Sequence, residues 1–356
     1  AVKSYERAIT LNPNFAEAHN NLGNVFKDAN RLNDAIINYE KAIIIKPDYA
    51  QALINLGFGL MSLGRLDEAV ISFKKAITIK PDCAEAHNYL GNALNILGNV
   101  EAGAKCYEKA IEINPNFAEA HNSLGNLFRK LKQRDNAQLC YERAFAIKPD
   151  MDFILGSLLN NKMNLCEWDN FSDQLKNLRD KINNNKEVIG PFSLLGLIDD
   201  PALQRKTSEI FTNYHYPHDH SLPKINFYSK HKKIRIGYFS ADFKEHPVAY
   251  LTAGLYETHD RNHFEVHAFS FGPDTKDEMN LRVKAGVDQF HDVQLMSHKE
   301  VVLLARSLEI DIAVDLGGFS GNSRPKVFAM SAAPIQISYI GFLGTMGADY
   351  YDYLIA

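Results

Sequence analysis

Two residues that can move a proton, Asp242 and His246, lie four positions apart just after the apolar run IRIGYFS at 234–240. Histidine is the side chain best suited to transfer a proton near neutral pH, and Asp242 supplies the acid of an acid–base pair. We therefore predict that His246 and Asp242 are catalytic. A structural role is the alternative: His246 could begin a helix with its ring bonded to local backbone, and Asp242 could cap a turn.

Two glycine-rich segments follow later apolar runs, GGFSG at 317–321 and GFLGTMG at 341–347. Glycine lets a ligand or another stretch of backbone come close, so Gly317, Gly318 and Gly341 are candidate binding positions. Ordinary punctuation between a strand and a helix is the alternative. Neither segment matches G-x-G-x-x-G or a P-loop, which disfavours an enzyme that depends on nicotinamide.

The elements around these residues alternate between strand and helix. Apolar runs predict strands at 234–240, 264–271, 311–316 and 335–340, and helices at 247–258, 299–308 and 324–331. This alternation is typical of a parallel, doubly wound sheet. Ligands of such sheets bind at the carboxyl ends of the strands. The acid–base pair and both glycine-rich segments should therefore meet at one edge.

The first half of the chain repeats every 34 residues. The repeat carries a Leu-Gly pair, then an aromatic residue followed by alanine, and closes on Pro13, Pro47, Pro81, Pro115 and Pro149. This is the pattern of tetratricopeptide (TPR) helix pairs, which stack into an α-solenoid. We predict full repeats at 16–49, 50–83, 84–117 and 118–151, preceded by half a repeat. The curved surfaces of such solenoids hold other proteins.

Asparagines recur on the first helix of the repeats. They form two columns and a partial third: Asn20, Asn88 and Asn122; Asn24, Asn92 and Asn126; and Asn21 with Asn55. An amide can both donate to and accept from the backbone of an extended peptide, so we predict peptide binding here. Solvation, or bonds between neighbouring repeats, would explain the columns equally well. The second repeat breaks the first two columns with Ile54 and Phe58.

Bulk properties narrow the class of protein. The 356 residues suggest two or three domains, and we predict repeats at 1–151, a helical and irregular bridge at 152–230 and a sheet domain at 231–356. The net charge of −4 gives no reason to expect nucleic acid or anionic membrane as a partner. Four cysteines without a disulfide or metal spacing favour the cytoplasm.

A histidine cluster in the bridge is the candidate metal site. His215, His218 and His220 lie close together, but beside Pro217 and on no clear helix face. No cysteine accompanies them, so we expect no metal there.

The repeats followed by SADFKEHP (240–247), AAPIQ (332–336) and GFLGT (341–345) resemble the O-GlcNAc transferase (SPINDLY-related) family of glycosyltransferases. The resemblance implies a GT-B enzyme, in which two Rossmann-like domains face each other across a cleft. It transfers the sugar of a nucleotide-sugar donor to Ser or Thr of a protein threaded along the TPR superhelix. No metal or other cofactor is expected in this chemistry.

The resemblance also implies residue roles. His246 matches the active-site histidine of the family's Asp-Phe-x-x-His-Pro motif, and Asp242 matches the acid of that motif. Gly341 matches a glycine near the donor sugar, and we group Gly317 and Gly318 with it. The asparagine columns resemble a ladder that holds the acceptor backbone, although Tyr89 and Ser123 interrupt part of it.

Departures from the family pattern set the remaining expectations. His246-Pro247, where fucose-transferring relatives tend to have His-Ser, favours UDP-N-acetylglucosamine over GDP-fucose as the donor. The repeats begin in mid-repeat, and the second Rossmann-like domain is absent from the 356 residues, so we expect this chain alone to be inactive. A non-catalytic TPR scaffold is the alternative from another functional class.

Overall fold

The computed structural model describes residues 1–29, 31–229, 231–342 and 344–355. Leu343 of the GFLGT motif and Ala356 lie outside the described residues. The chain divides into two compact units, Ala1–Asp169 and Asn170–Ala356. The predicted domain boundaries at 151 and 230 stay predictions.

The first unit is a stack of helix pairs. After α1 (Val2–Leu11), the pairs are α2 and α3 (Ala16–Asp28, Leu32–Ile45), α4 and α5 (Ala50–Ser62, Leu66–Ile79), α6 and α7 (Ala84–Ile96, Val100–Ile113), and α8 and α9 (Ala118–Lys130, Arg134–Ile147). A further helix, α10 (Ile154–Leu165), packs on α9. The predicted TPR solenoid is confirmed.

Close contact within each pair explains the repeated glycine. A Cβ on this glycine would overlap the aromatic ring of the second helix, in the pairs Gly23–Tyr39, Gly57–Phe73, Gly91–Tyr107 and Gly125–Tyr141. Each ring is almost completely buried, and so is the alanine three residues later. The aromatic ring therefore fills the space that the missing side chain leaves.

The second unit begins with three helices, α11 (Phe171–Asn183), α12 (Pro191–Leu195) and α13 (Pro201–His215). Strands and helices then alternate as β1 (Ile234–Ser240), α14 (Pro247–Thr258), β2 (Phe264–Ser270), α15 (Glu278–Gly286), β3 (Gln289–Asp292), α16 (His298–Ser307), β4 (Ile312–Asp315), α17 (Pro325–Ala329), β5 (Ile335–Tyr339) and β6 (Tyr353–Ile355). Every strand pair is parallel, in the order β3-β2-β1-β4-β5-β6.

Helices cover both faces of this sheet, as the doubly wound prediction requires. On one face Phe239 stacks on Phe269 at 4.3 Å between ring centroids and packs edge-on against Phe328 of α17. On the other face Tyr238 packs against Tyr256 of α14. Neighbouring residues of β1 thus serve opposite cores, which explains its continuous apolar run.

The elements that were not predicted individually include β3, α15 and α13. β3 is a four-residue polar strand at the sheet edge, so it has no apolar run to signal it. α15 precedes it, and Asp277 caps α15 by accepting from the backbone N–H of Asn280. α13 lies in the predicted bridge, where Asp200 caps it. Both caps are recognisable helix-start signals that could have found these helices.

Among the described residues, no helix is long and apolar enough to cross a membrane.

Candidate functional site

The predicted acid–base pair lies at the carboxyl end of β1. The chain leaves the sheet after Ser240, and α14 begins at Pro247 with His246 as its N-cap. His246 Nδ1 lies 3.7 Å from Asp242 Oδ2. Asp242 is buried, whereas 39% of the His246 side chain is exposed. The structure therefore brings the two groups together and leaves the imidazole partly exposed.

The same imidazole nitrogen has a second partner. Nδ1 of His246 accepts a hydrogen bond from the backbone N–H of Val248 at 3.3 Å, so the ring also caps α14. A neutral imidazole carries its proton on one nitrogen only. The capping bond therefore places the proton on Nε2, whereas a ring that accepts a proton at Nε2 must carry one on Nδ1, towards Asp242. The carboxylate and the Val248 N–H thus favour opposite tautomers.

A cation lies on the other side of the carboxylate. Lys244 Nζ is 4.0 Å from Asp242 Oδ1, and the backbone N–H of Asp242 donates to Ser240 Oγ at 2.9 Å. Lys244 was not among the predicted site residues. It makes this end of β1 a cluster of a base, an acid and a cation.

The N-terminus of α15 supports the loop that carries the pair. The buried amide of Asn280 donates through Nδ2 to the carbonyl of Phe243 at 2.7 Å. Asp277 Oδ2 accepts from the backbone N–H of Glu245 at 3.1 Å. The Thr275 hydroxyl, helped by backbone N–H donors including those of Asn280 and Glu245, lowers the pKa of Asp277. Asp277 and Asn280 were not predicted as positioning residues, because the helix α15 that they begin was not predicted.

The glycine-rich turns meet at the carboxyl ends of β4 and β5. A Cβ on Gly341 would overlap the carbonyl of Leu316, and one on Gly318, where φ is +55°, would overlap Phe342. A Cβ on Gly317 would likewise overlap the Cβ of Ser323. The close approach is thus between two turns of the chain's own backbone, the alternative that the sequence left open. Proximity of these glycines to a donor sugar stays a prediction.

A buried carboxyl group, Asp315, anchors these turns. Its Oδ1 accepts from the backbone N–H groups of Gly317 and Gly318 at 2.8 and 3.2 Å, and the Tyr351 hydroxyl donates to Oδ2. Burial raises the pKa of Asp315, and the hydrogen bonds oppose that rise. Asp315 was not predicted, because nothing in the sequence distinguishes it from the end of an ordinary strand.

Topology places the pair and the turns on one edge. β1 lies between β2 and β4, so the chain runs outward from β1 to β3 and then returns to the other side of β1 for β4. The crevice between β1 and β4 is therefore the topological switch point, where doubly wound sheets bind ligands. Asp242 and His246 follow β1, and Gly317 and Gly318 follow β4.

One asparagine column of the repeats has an internal structural role. Each member accepts a hydrogen bond from the tyrosine of its own helix pair, at 2.8–2.9 Å: Asn24 from Tyr39, Asn92 from Tyr107 and Asn126 from Tyr141. The second repeat has Phe58 and Phe73 at these two positions, so hydroxyl and acceptor are lost together. The pairing explains the column without a ligand.

The remaining asparagines fall into two groups, one bonded to other asparagines and one with unpaired oxygens among the described residues. Asn55 Nδ2 links two neighbouring repeats by donating to Asn20 Oδ1 at 2.8 Å and to Asn24 Oδ1 at 3.2 Å. Asn20 also donates to Asn21 at 3.4 Å within α2. By contrast, the buried Oδ1 atoms of Asn88 and Asn122 have no partner among the described residues. Both residues line a groove of about 620 Å³. Peptide binding stays a prediction, and the two amides would have to turn their oxygens towards the groove to accept from a peptide.

The histidines of the bridge have other neighbours. His215 pairs with Glu187, and the rings of His218 and His220 lie 4.3 Å apart. Nδ1 of His218 is 3.8 Å from Asp349. In the part of the chain that the structure describes, no three His, Cys, Asp or Glu side chains are arranged to hold a metal ion.

Comparison with known proteins agrees with this architecture. The family described as glycosyl transferase family 41 matches residues 206–356, and TPR families match 1–30, 23–58, 60–98, 91–132 and 118–151. The solved structure of an O-GlcNAc transferase mutant from Thermobaculum terrenum covers 86% of this chain and 53% of its own, at 24% identity and a TM-score of 0.48.

Two curated relatives carry activity names. A probable UDP-N-acetylglucosamine–peptide N-acetylglucosaminyltransferase, SEC of Arabidopsis thaliana, is 29% identical over 214 residues, which are 56% of this chain and 22% of the plant protein. The UDP-N-acetylglucosamine–peptide N-acetylglucosaminyltransferase of Caenorhabditis elegans is 33% identical over 128 residues, 35% of this chain and 11% of the nematode protein. The matched segments thus span less than a quarter of these relatives. With TPR repeats followed by a match to family 41, the chain is similar to the O-GlcNAc transferase and SPINDLY-related family.

Proposed function

We propose that this chain serves a protein O-linked glycosyltransferase that moves N-acetylglucosamine from a UDP-sugar to Ser or Thr side chains. The observation that carries the proposal is the Asp242–His246 pair at the switch point of a family 41 sheet. The activity named for the plant and nematode relatives supports the choice of donor and acceptor.

In the proposed reaction the acceptor hydroxyl attacks the anomeric carbon of the sugar. A new C–O bond forms while the bond to the diphosphate breaks, and UDP leaves with the electron pair. Nε2 of His246 takes the hydroxyl proton, provided that Nδ1 carries its own proton towards Asp242. The carboxylate then stabilises the imidazolium that forms. The turns around Gly317, Gly318 and Gly341 would hold the donor, and no metal is required.

Acceptor proteins would bind along the repeats. The buried carbonyl oxygens of Asn88 and Asn122 lack donors within the described chain, and an extended polypeptide presents N–H groups that could supply them. All four cysteines are free thiols, which supports a reducing, cytoplasmic setting.

The test is a transfer assay on the natural protein in which residues 1–356 occur, with acceptor peptides and mass spectrometry as the readout. We expect transfer from UDP-N-acetylglucosamine and a loss of at least about a hundredfold in His246→Ala. His263→Ala is the matched control, because 75% of that side chain is exposed and it lies before β2, at the opposite end of the strands.

Three results would contradict the proposal in different ways. Transfer from GDP-fucose alone would change the donor but keep the site. Full activity of His246→Ala would make the histidine a structural cap. An absence of transfer from every donor would favour a binding scaffold.

A further inference from the structure

The TPR groove changes character at the second repeat. Three side chains form what we call the apolar notch: Ile54 and Phe58, one turn apart on α4, and Tyr89 on α6. The Tyr89 ring packs edge-on against Phe58 at 5.7 Å and stacks on Phe73 at 5.8 Å. Phe58 and Tyr89 are both partly exposed. The groove therefore has an apolar surface where the other repeats present asparagine.

The change is coordinated rather than isolated. Ile54 and Phe58 stand at the positions where the other repeats have asparagine. Phe73 has no hydroxyl, so it could not donate a hydrogen bond to an asparagine at position 58. Phe73 alone would need only an apolar residue at position 58. Tyr89 comes from the next repeat and extends the same surface across the groove. Packing of the helix pair accounts for Phe73, but not for the exposed part of Phe58 and Tyr89.

Polar groups in the same groove indicate what could occupy it. The Oδ1 atoms of Asn88 and Asn122 have no partner among the described residues and need N–H donors. Both oxygens are buried, so each amide has to turn towards the groove before a donor reaches it. An extended polypeptide presents N–H donors along its length and side chains on alternate sides. A polypeptide is thus the occupant that serves both the acceptors and the apolar surface.

We propose that the apolar notch of Ile54, Phe58 and Tyr89 binds one aliphatic or aromatic side chain of a polypeptide whose backbone donates to Asn88 and Asn122. The inference rests on the proposed function, because it assumes that the groove holds acceptor polypeptides. It adds a side-chain preference at one repeat to a surface that otherwise recognises backbone.

The test measures binding of fluorescein-labelled peptides to residues 1–356 by fluorescence anisotropy. The peptides share a glycine-serine-threonine host sequence with one central guest residue: leucine, phenylalanine, serine or aspartate. We expect the leucine and phenylalanine peptides to bind about fivefold more tightly than the serine peptide. This comparison uses the unchanged protein, so it does not depend on a variant that folds.

Variants then locate the preference. Phe58→Asn should bring the leucine and serine peptides to within about twofold of each other. Ile71→Asn is the matched control, because Ile71 lies on α5 of the same repeat, is 54% exposed and does not line the groove. It should keep the preference. Circular dichroism melting of each variant shows whether its helices are intact.

The outcomes separate the two proposals. Equal binding of all four guests would overturn the notch while leaving peptide binding in place. A leucine preference that survives Phe58→Asn in a folded protein would also overturn it. No binding of any peptide would remove the inference together with the peptide-binding part of the proposed function, whereas the transfer assay would still test the chemistry.

Discussion

At the scale of single residues, His246 combines two tasks that need different tautomers of its imidazole. Its Nδ1 caps α14 through the Val248 N–H and also faces Asp242. The capping bond requires a lone pair on Nδ1, whereas donation to the carboxylate would require a proton there. Asp242 therefore matters as the group that competes with the helix cap for this nitrogen.

This competition predicts the effect of Asp242→Asn. A carboxylate that can accept from Nδ1–H favours the tautomer with its proton on Nδ1 by about 1 kcal/mol, the usual net size of one hydrogen bond, which is about fivefold in the ratio of tautomers. The variant should shift neutral His246 towards the Nε2–H form. Nitrogen-15 NMR of the imidazole rings measures the ratio directly. The ring of His259, bonded to the Tyr238 hydroxyl, is the internal control and should not change. An unchanged tautomer ratio at His246 would mean that the cap alone sets it.

The sequence predicted the pair, but not its geometry. Spacing and residue type were enough to select Asp242 and His246, because both follow a recognisable strand. The asparagines show the limit of such reasoning. Asn92 and Asn88 look alike in the sequence, yet one accepts from Tyr107 and the other has a buried oxygen without a partner among the described residues. Only the positions of neighbouring helices distinguish them.

At the scale of elements, the turns after β4 and β5 depend on each other. Gly341 has no room for a Cβ because the Leu316 carbonyl occupies that space, and Asp315 holds the neighbouring turn through two backbone N–H groups. The contact lies between rigid backbone segments. No rearrangement of flexible side chains could relieve an added atom.

We therefore predict that Gly341→Ala lowers the free energy of unfolding by about 2–3 kcal/mol or more, because backbone must move. Gly321→Ala, in the turn after β4, should change it by less than about 0.5 kcal/mol, since no atom lies within 4 Å of the added Cβ. Urea unfolding followed by circular dichroism measures both. A Gly341→Ala protein as stable as the control would show that the turns are not packed as described. The presence of glycine at position 341 would then have to be explained by the close approach of a ligand.

The elements that escaped the sequence analysis share a physical cause. Periodicity detects helices and strands through buried apolar faces, and it found β1, β2, β4, β5 and the repeat helices. β3 is an edge strand of four residues with one apolar side chain, so it has no apolar run for periodicity to detect. The helix α15, which precedes β3, was not predicted either. The contacts of Asp277 and Asn280 with the loop that carries Asp242 and His246 therefore became visible only in three dimensions.

At the scale of the whole molecule, two partly buried histidines should make the second unit sensitive to acid. In the second unit, burial lowers the pKa of His291 to about 4, with a contribution from neighbouring His267. Burial and the cations of Arg324 and Lys326 lower the pKa of His298 to about 4 as well. The neutral form of His298 is in use, because its Nδ1 accepts from Arg324 Nε at 3.0 Å. Protonation would turn that acceptor into a donor facing a cation.

The direction of the pH effect follows from these lowered pKa values. Between the unfolded pKa of about 6.5 and the folded pKa of about 4, the unfolded chain binds more protons than the folded one. The stabilisation is complete above about pH 6.5 and is lost as the pH falls towards 4. We expect residues 170–356 to lose at least about 1 kcal/mol of unfolding free energy between pH 7 and pH 5.

Hydrogen exchange in increasing urea, read by mass spectrometry and corrected for intrinsic exchange rates, measures this loss for peptides of each unit separately. His298→Gln keeps a side-chain acceptor for Arg324 but cannot be protonated, so it should reduce the loss. His263→Gln, changed at an exposed position, is the matched control and should leave the loss as it is. If acid destabilises His298→Gln as much as the unchanged protein, the buried neutral His298 does not contribute. The acid sensitivity would then have to come from His291 or from carboxylates.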